Sequence, residues 1–234
     1  AAVSKQVGAL LRTASTVDGP QSTVTVRPGL EIAPASPDLV RLNETEIQAI
    51  ETWLAAPETL CSNCAPNALA PLLDTVGIEA SREALTTHAF LMDYLSGNVQ
   101  GTSGPLYISM DTVGRLSQAY GLTLNAVELR KDEIYLLHHP FIAALDLTQD
   151  GEADHYVVVQ EADEARVVYF ESDGTRESIP TYEFLKLFTG FALVPTGDSY
   201  GRLLHRTITR TIRGGFDFDA DDYMPDVFPD VDMP

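Results

Sequence analysis

Apolar residues in the first half of the chain recur every three or four positions, the spacing of helices with one buried face. Ile47, Ile50 and Leu54 follow Asn43 and Glu46, a pair placed to cap a helix reciprocally, and this helix should stop before Pro57. A second helix is expected from about Cys64, carrying Leu69, Leu72 and Leu73 to Gly77. Ser81 caps a third, with Ala84, Leu85, Phe90, Leu91 and Leu95 along it and Gly97 closing it. After a Gly/Ser-rich loop, a fourth runs from about Ser109 through Val113, Leu116 and Tyr120 to Gly121.

Beyond Gly121 the period shortens. Residues 122–129, 141–147, 156–160, 166–170 and 191–194 are short β-rich runs bounded by turn residues, Asp173-Gly174 among them. One or two helical turns over 181–188 interrupt them. Helices followed by antiparallel strands make the pattern of an α+β fold. Residues 203–213 alternate Arg, Thr and Ile, which suits an edge strand or an extended linker. Ahead of the helices, residues 1–42 open with Val7, Leu10 and Leu11 and then turn Ser/Thr/Pro-rich. With Pro20, Pro28, Pro34 and Pro37 they read as an extended arm holding one strand over 22–26. The expected division is an arm (1–42), an α+β domain (43–196) and a linker with an acidic tail (197–234).

Charge narrows the partners. The 234 residues carry 15 Lys and Arg against 34 Asp and Glu, a formal net charge of −19. Phosphate binding needs clustered basic side chains, so nucleic acid is excluded as a partner, and anionic lipid is disfavoured on the same ground. No apolar run approaches the 18 or so residues that span a bilayer. Residues 216–234 hold seven Asp and no Lys or Arg, so this short stretch supplies seven of the negative charges. Its Asp residues alternate with Phe216, Phe218, Tyr223, Val227 and Phe228, the make-up of a docking segment for a protein partner. The first residue, Ala1, fits either methionine removal or cleavage of a bacterial-type export signal, so the compartment stays open.

The chemistry gathers on three elements. Cys64 is expected at a helix start, where unpaired N–H groups and the helix dipole favour the thiolate, the reactive form of cysteine. Taken alone, such a cysteine is often inert packing. His155, however, opens the apolar run Tyr156-Val157-Val158-Val159, and Glu171 and Asp173 lie at the end of the next strand. A cysteine to attack, a histidine to exchange protons and a carboxylate to orient the ring are the parts of thiol catalysis, with either acid able to serve. No metal or organic cofactor is implied.

Several segments resemble, in order, the bacteriocin-processing, double-glycine-cleaving cysteine peptidases, a papain-like family. They are Cys64-Ala65-Pro66-Asn67-Ala68-Leu69, Gly101-Thr102-Ser103-Gly104, Ala119-Tyr120-Gly121-Leu122, Pro140-Phe141-Ile142-Ala143-Ala144, His155-Tyr156-Val157-Val158-Val159 and Phe188-Thr189-Gly190-Phe191-Ala192-Leu193. The resemblance covers roughly 58–195. It implies a papain-like fold, Cys64 as nucleophile, His155 as general base and acid, and cleavage of a flexible peptide or protein substrate after small residues. The family has a Gln six residues before its cysteine, whose amide donates to the oxyanion. Here that position holds Glu58, a carboxylate that cannot donate, and losing one such donor costs about 10²–10³ in rate. That departure sets a second expectation beside the first: a peptidase scaffold reused as an accessory subunit of a larger assembly, binding through its arm and acidic tail.

Two further motifs are set against these readings. Cys61-Ser62-Asn63-Cys64 has the spacing of a thioredoxin redox site, but a strand should then enter Cys61, and 44–56 reads as helix. A reversible Cys61–Cys64 disulfide that masks the nucleophile is the milder version. Gly214-Gly215 is a double glycine, which makes self-processing a hypothesis. Against it stands the ordinary use of glycine pairs in linkers.

Overall fold

The computed structural model describes residues 2–16, 23–36, 39, 41–55, 63–98, 107–197 and 200–215. Glu58, Cys61, residues 101–104 and the acidic tail from Phe216 lie outside the described residues.

The chain opens with helix α1 (Ala2–Thr16), not with the extended segment expected there. The prolines that suggested an arm begin only at Pro20, past the helix end, and Val7, Leu11 and Ala14 bury one face of it at helical spacing. A hairpin follows, β1 (Val24–Arg27) paired with β2 (Leu30–Ile32), turning at Gly29 with φ 81°. Helix α2 (Glu44–Ala55) carries the anticipated cap: Glu46 N–H donates to Asn43 Oδ1 at 3.0 Å, and Asn43 N–H to Glu46 Oε2 at 2.8 Å. Arg12 of α1 reaches Glu44 at 2.6 Å and Glu51 at 3.0 Å, tying the two helices together.

Helix α3 (Cys64–Thr75) is buried along most of its length and contains Pro71, which has no N–H to give the preceding turn. Helix α4 (Arg82–Leu95) starts where Ser81 Oγ accepts from Ala84 N–H at 3.2 Å. A two-residue strand, β3 (Ile108–Ser109), runs straight into helix α5 (Met110–Ala119), with Ser109 as its cap.

The second half is strand-rich, as the change in period anticipated. Its elements are β4 (Leu124–Glu128), β5 (Phe141–Leu145), β6 (His155–Ala162), β7 (Arg166–Phe170), β8 (Arg176–Pro180), helix α6 (Thr181–Leu187) and β9 (Phe188–Pro195). Residues 200–215 hold β10 (Arg202–Leu203), one turn of helix α7 (Arg206–Thr209) and β11 (Arg213–Gly214). The alternation seen over 203–213 is therefore broken into two short strands around a helical turn, where one edge strand or a linker was expected.

Seven strands form one antiparallel sheet in the order β10-β4-β9-β5-β6-β7-β8. Side chains of β6 alternate between its faces. Tyr156 and Val158 join the core with α3, α4 and α5, while Val157 and Val159 join Phe184, Leu187 and Phe188 on the other side. This is the expected α+β class, with N-terminal helices packed on an antiparallel sheet and the cysteine-bearing helix against its central strands.

Candidate active site

The register of the sheet explains how the acid is chosen. Strand β6 pairs with β7 so that Val158 faces Phe170. One step further brings Glu171 opposite Val157, on the face that His155 shares with it, since side chains two apart in a strand point the same way. His155 Nε2 and Glu171 Oε2 are 2.9 Å apart. Asp173 would come opposite His155 only if β7 continued. Instead the chain turns there: Gly174, at φ 93°, donates its N–H to Glu171 O at 2.9 Å, and Asp173 Oδ1 accepts from Thr175 N–H at 2.6 Å. Of the two carboxylates read as candidates, the fold brings Glu171 to the ring and spends Asp173 on the turn.

Cys64 enters from the opposite side, as the first residue of α3 packed against β6. It is wholly buried, and His155 is 3% exposed. Nε2 being engaged by Glu171, Nδ1 is the ring nitrogen left for the sulfur, and the two side chains interact by charge and by hydrogen bond. Burial alone lowers the His155 pKa. The charge and hydrogen bond of Cys64, followed by those of Glu171, outweigh it and push the pKa up to about 10. Asn63, just before the cysteine, is also buried, and its side-chain amide has no partner among the described residues.

A raised histidine pKa has a consequence for stability. The proton is held more tightly folded than unfolded, so its stabilisation is complete below the unfolded value near 6.5 and is lost as pH rises through about 10. Urea unfolding of the wild type and of His155→Gln across pH 6–11 should show it. The wild type is expected to lose stability relative to the variant over that window, and parallel curves would contradict the pairing.

Sequence reasoning brought Cys64, His155 and either Glu171 or Asp173 to one site, and the structure joins the first two with Glu171. That reasoning missed Tyr156 and Gly214. Tyr156 sits in an apolar run and reads as plain core, yet its hydroxyl donates to Ile212 O at 3.0 Å, and burial, then the charges of Cys64 and Asp93, raise its pKa far enough to keep it neutral. Gly214 was legible only as half of a glycine pair. A Cβ placed on it would lie 3.0 Å from Cys64 Sγ.

No curated protein matches this chain. Among solved structures, it is similar to a double glycine motif protease from an AMS/PCAT transporter, in complex with the leader peptide. The identity there is 18% and the TM-score 0.45, over 60% of this chain and 86% of that one. It is also similar to the peptidase domain of Streptococcus ComA, a bifunctional ABC transporter of a quorum-sensing pathway, at 18% identity and TM-score 0.43, over 57% and 90%. A periplasmic domain of the EpsAB fusion protein of the Vibrio vulnificus type II secretion system matches at 18% and 0.35, over 60% and 50%. Residues 98–199, the stretch that supplies His155 and Glu171 and leaves out Cys64, match the model of the Peptidase C39 family.

Proposed function

We propose that this chain is a cysteine peptidase that cleaves peptide bonds after small residues. The observation that carries the reading is the chain of contacts from Cys64 through His155 to Glu171, buried at the junction of a helix start and a strand start. Cys64 attacks the carbonyl carbon, His155 takes and returns the proton, and Glu171 fixes the ring so that Nδ1 faces the sulfur. The backbone N–H of Cys64, at the first turn of α3, is one donor to the oxyanion. The family match over 98–199 and the lack of room for a side chain at Gly214, the strand position beside the sulfur, support a peptide substrate with small residues there.

The competing reading, an accessory subunit built on a peptidase scaffold, is favoured by Glu58 and by the seven Asp of the tail. Alkylation of Cys64 by a small thiol reagent separates the two. In the peptidase His155 takes the thiol proton as the sulfur attacks, so His155→Ala is expected to slow labelling at pH 7 by about tenfold or more. The ratio of the two rates is the readout, because both proteins carry the same cover over the sulfur. Equal rates would give the accessory reading the case.

A further inference from the structure

The catalytic pair is shut off from solvent by the protein's own chain. After α7 the backbone runs back over the site as β11, pairing antiparallel with β3, Arg213 opposite Ser109 and Gly214 opposite Ile108. Main-chain hydrogen bonds hold it to both walls. Ile212 O accepts from Met110 N–H at 2.9 Å and from Tyr156 Oη at 3.0 Å, and Gly215 N–H donates to Asp154 O at 2.9 Å, at the residue before His155. Arg213 Nη1 donates to Asn98 O at 3.1 Å.

Gly214 sits where no other residue fits. A Cβ on it would come within 2.4 and 2.6 Å of Tyr156 ring carbons as well as 3.0 Å from Cys64 Sγ. Its backbone is not in the left-handed region, so glycine is required here by space and not by conformation. An extended strand, added to β3 through its backbone and presenting a residue without a side chain to a nucleophile, is how a peptidase cleft holds a substrate.

We propose, resting on the peptidase reading above, that residues 212–215 are a substrate bound in cis and that Cys64 cuts the bond from Gly215 to Phe216. The Gly215 N–H is already spent on Asp154 O, which makes the 214–215 peptide part of the held strand and assigns the cut to the bond that follows. Cys64 Sγ adds to the Gly215 carbonyl carbon, the C–N bond to Phe216 breaks, and the departing amine takes the proton held by His155. Water then adds to the thioester, giving its proton to His155, and the C–S bond breaks to return the cysteine. One water is consumed. The products are a chain ending in the Gly215 carboxylate and a peptide of residues 216–234 that carries seven negative side chains and no positive ones.

Intact mass against time, on the purified full chain at several protein concentrations, tests this. The wild type is expected to lose residues 216–234 at a first-order rate independent of concentration. Cys64→Ala should stay full length. Gly214→Val, whose side chain cannot enter beside the sulfur, should be slowed by about a hundredfold. A synthetic peptide of residues 208–220 is supplied in trans to the Gly214→Val chain, in which the site is vacated. Cleavage of that peptide while the wild-type chain remains whole overturns the proposal and leaves the peptidase reading standing. If neither is cut, the peptidase reading falls too. Tail loss that scales with protein concentration, or that persists in Cys64→Ala, overturns cleavage in cis.

Discussion

Cys64→Ala is expected to slow hydrolysis of a glycine-containing peptide by about 10⁶-fold, as removal of the attacking residue does in enzymes whose nucleophile and base act as a unit. At about 1.4 kcal/mol per decade this is about 8 kcal/mol of lost transition-state stabilisation. Alanine has no lone pair to offer. Glu171→Gln is expected to cost less, about 10⁴-fold, through the wrong tautomer. The carboxylate accepts from Nε2–H and so leaves Nδ1 bare toward the sulfur, whereas an amide can donate to Nε2 and put the proton on Nδ1. The measurement is the rate on the peptide of residues 208–220, with and without each substitution in the Gly214→Val chain, whose vacated site can admit it. A Cys64→Ala rate within tenfold of the Gly214→Val chain's own would remove the mechanism altogether, whatever Glu171 does.

Why Glu171 and not Asp173 could not be read from the chain is instructive. Both lie beyond an apolar run, and two strand-pairing steps separate their registers. The choice depends on where β7 ends, and that is set by the turn that Gly174 closes with Glu171 O and by Asp173 accepting from Thr175. Cys64 and His155 were legible because each opens an element, and element starts leave local marks: a loop before an apolar face at helical spacing, and a polar residue before alternating valines. The N-terminal helix was lost for the opposite reason. The prolines from Pro20 onward coloured the whole of 1–42, although Val7, Leu11 and Ala14 already kept helical spacing. The approach of Gly214 to the sulfur left no mark beyond the glycine pair itself, which raised self-processing only as a hypothesis. It joins residues 150 apart in sequence, and no local pattern of charge or hydrophobicity encodes such a meeting.

The strand that receives Gly214 is itself held by a buried carboxylate, and here the largest loss of stability is expected. Asp93 of α4 is fully buried; Oδ1 accepts from Thr112 Oγ1 at 2.5 Å and Ser109 Oγ at 3.2 Å, and Oδ2 from Ser109 N–H at 3.0 Å. Desolvation raises its pKa against these hydrogen bonds, so the fold carries the cost of this burial in exchange for a fixed β3. Asp93→Ala strips the acceptor from three buried donors at once. At about 1–3 kcal/mol for each orphaned group, partly relieved by relaxation, the expected destabilisation is about 3–5 kcal/mol, or about 10 °C in melting temperature for a domain of this size. Asp93→Asn should fall between, because its amide can accept on one side but must turn a donor toward another donor on the other. Denaturant unfolding measures the loss, and a change under about 1 kcal/mol for the alanine variant would mean that α4 and α5 hold β3 without the carboxylate. Hydrogen exchange then separates a local from a global effect: the amides of Ile108 and Ser109 should lose protection before those of β5 and β6, because Asp93 acts on β3 and not on the seven-stranded sheet.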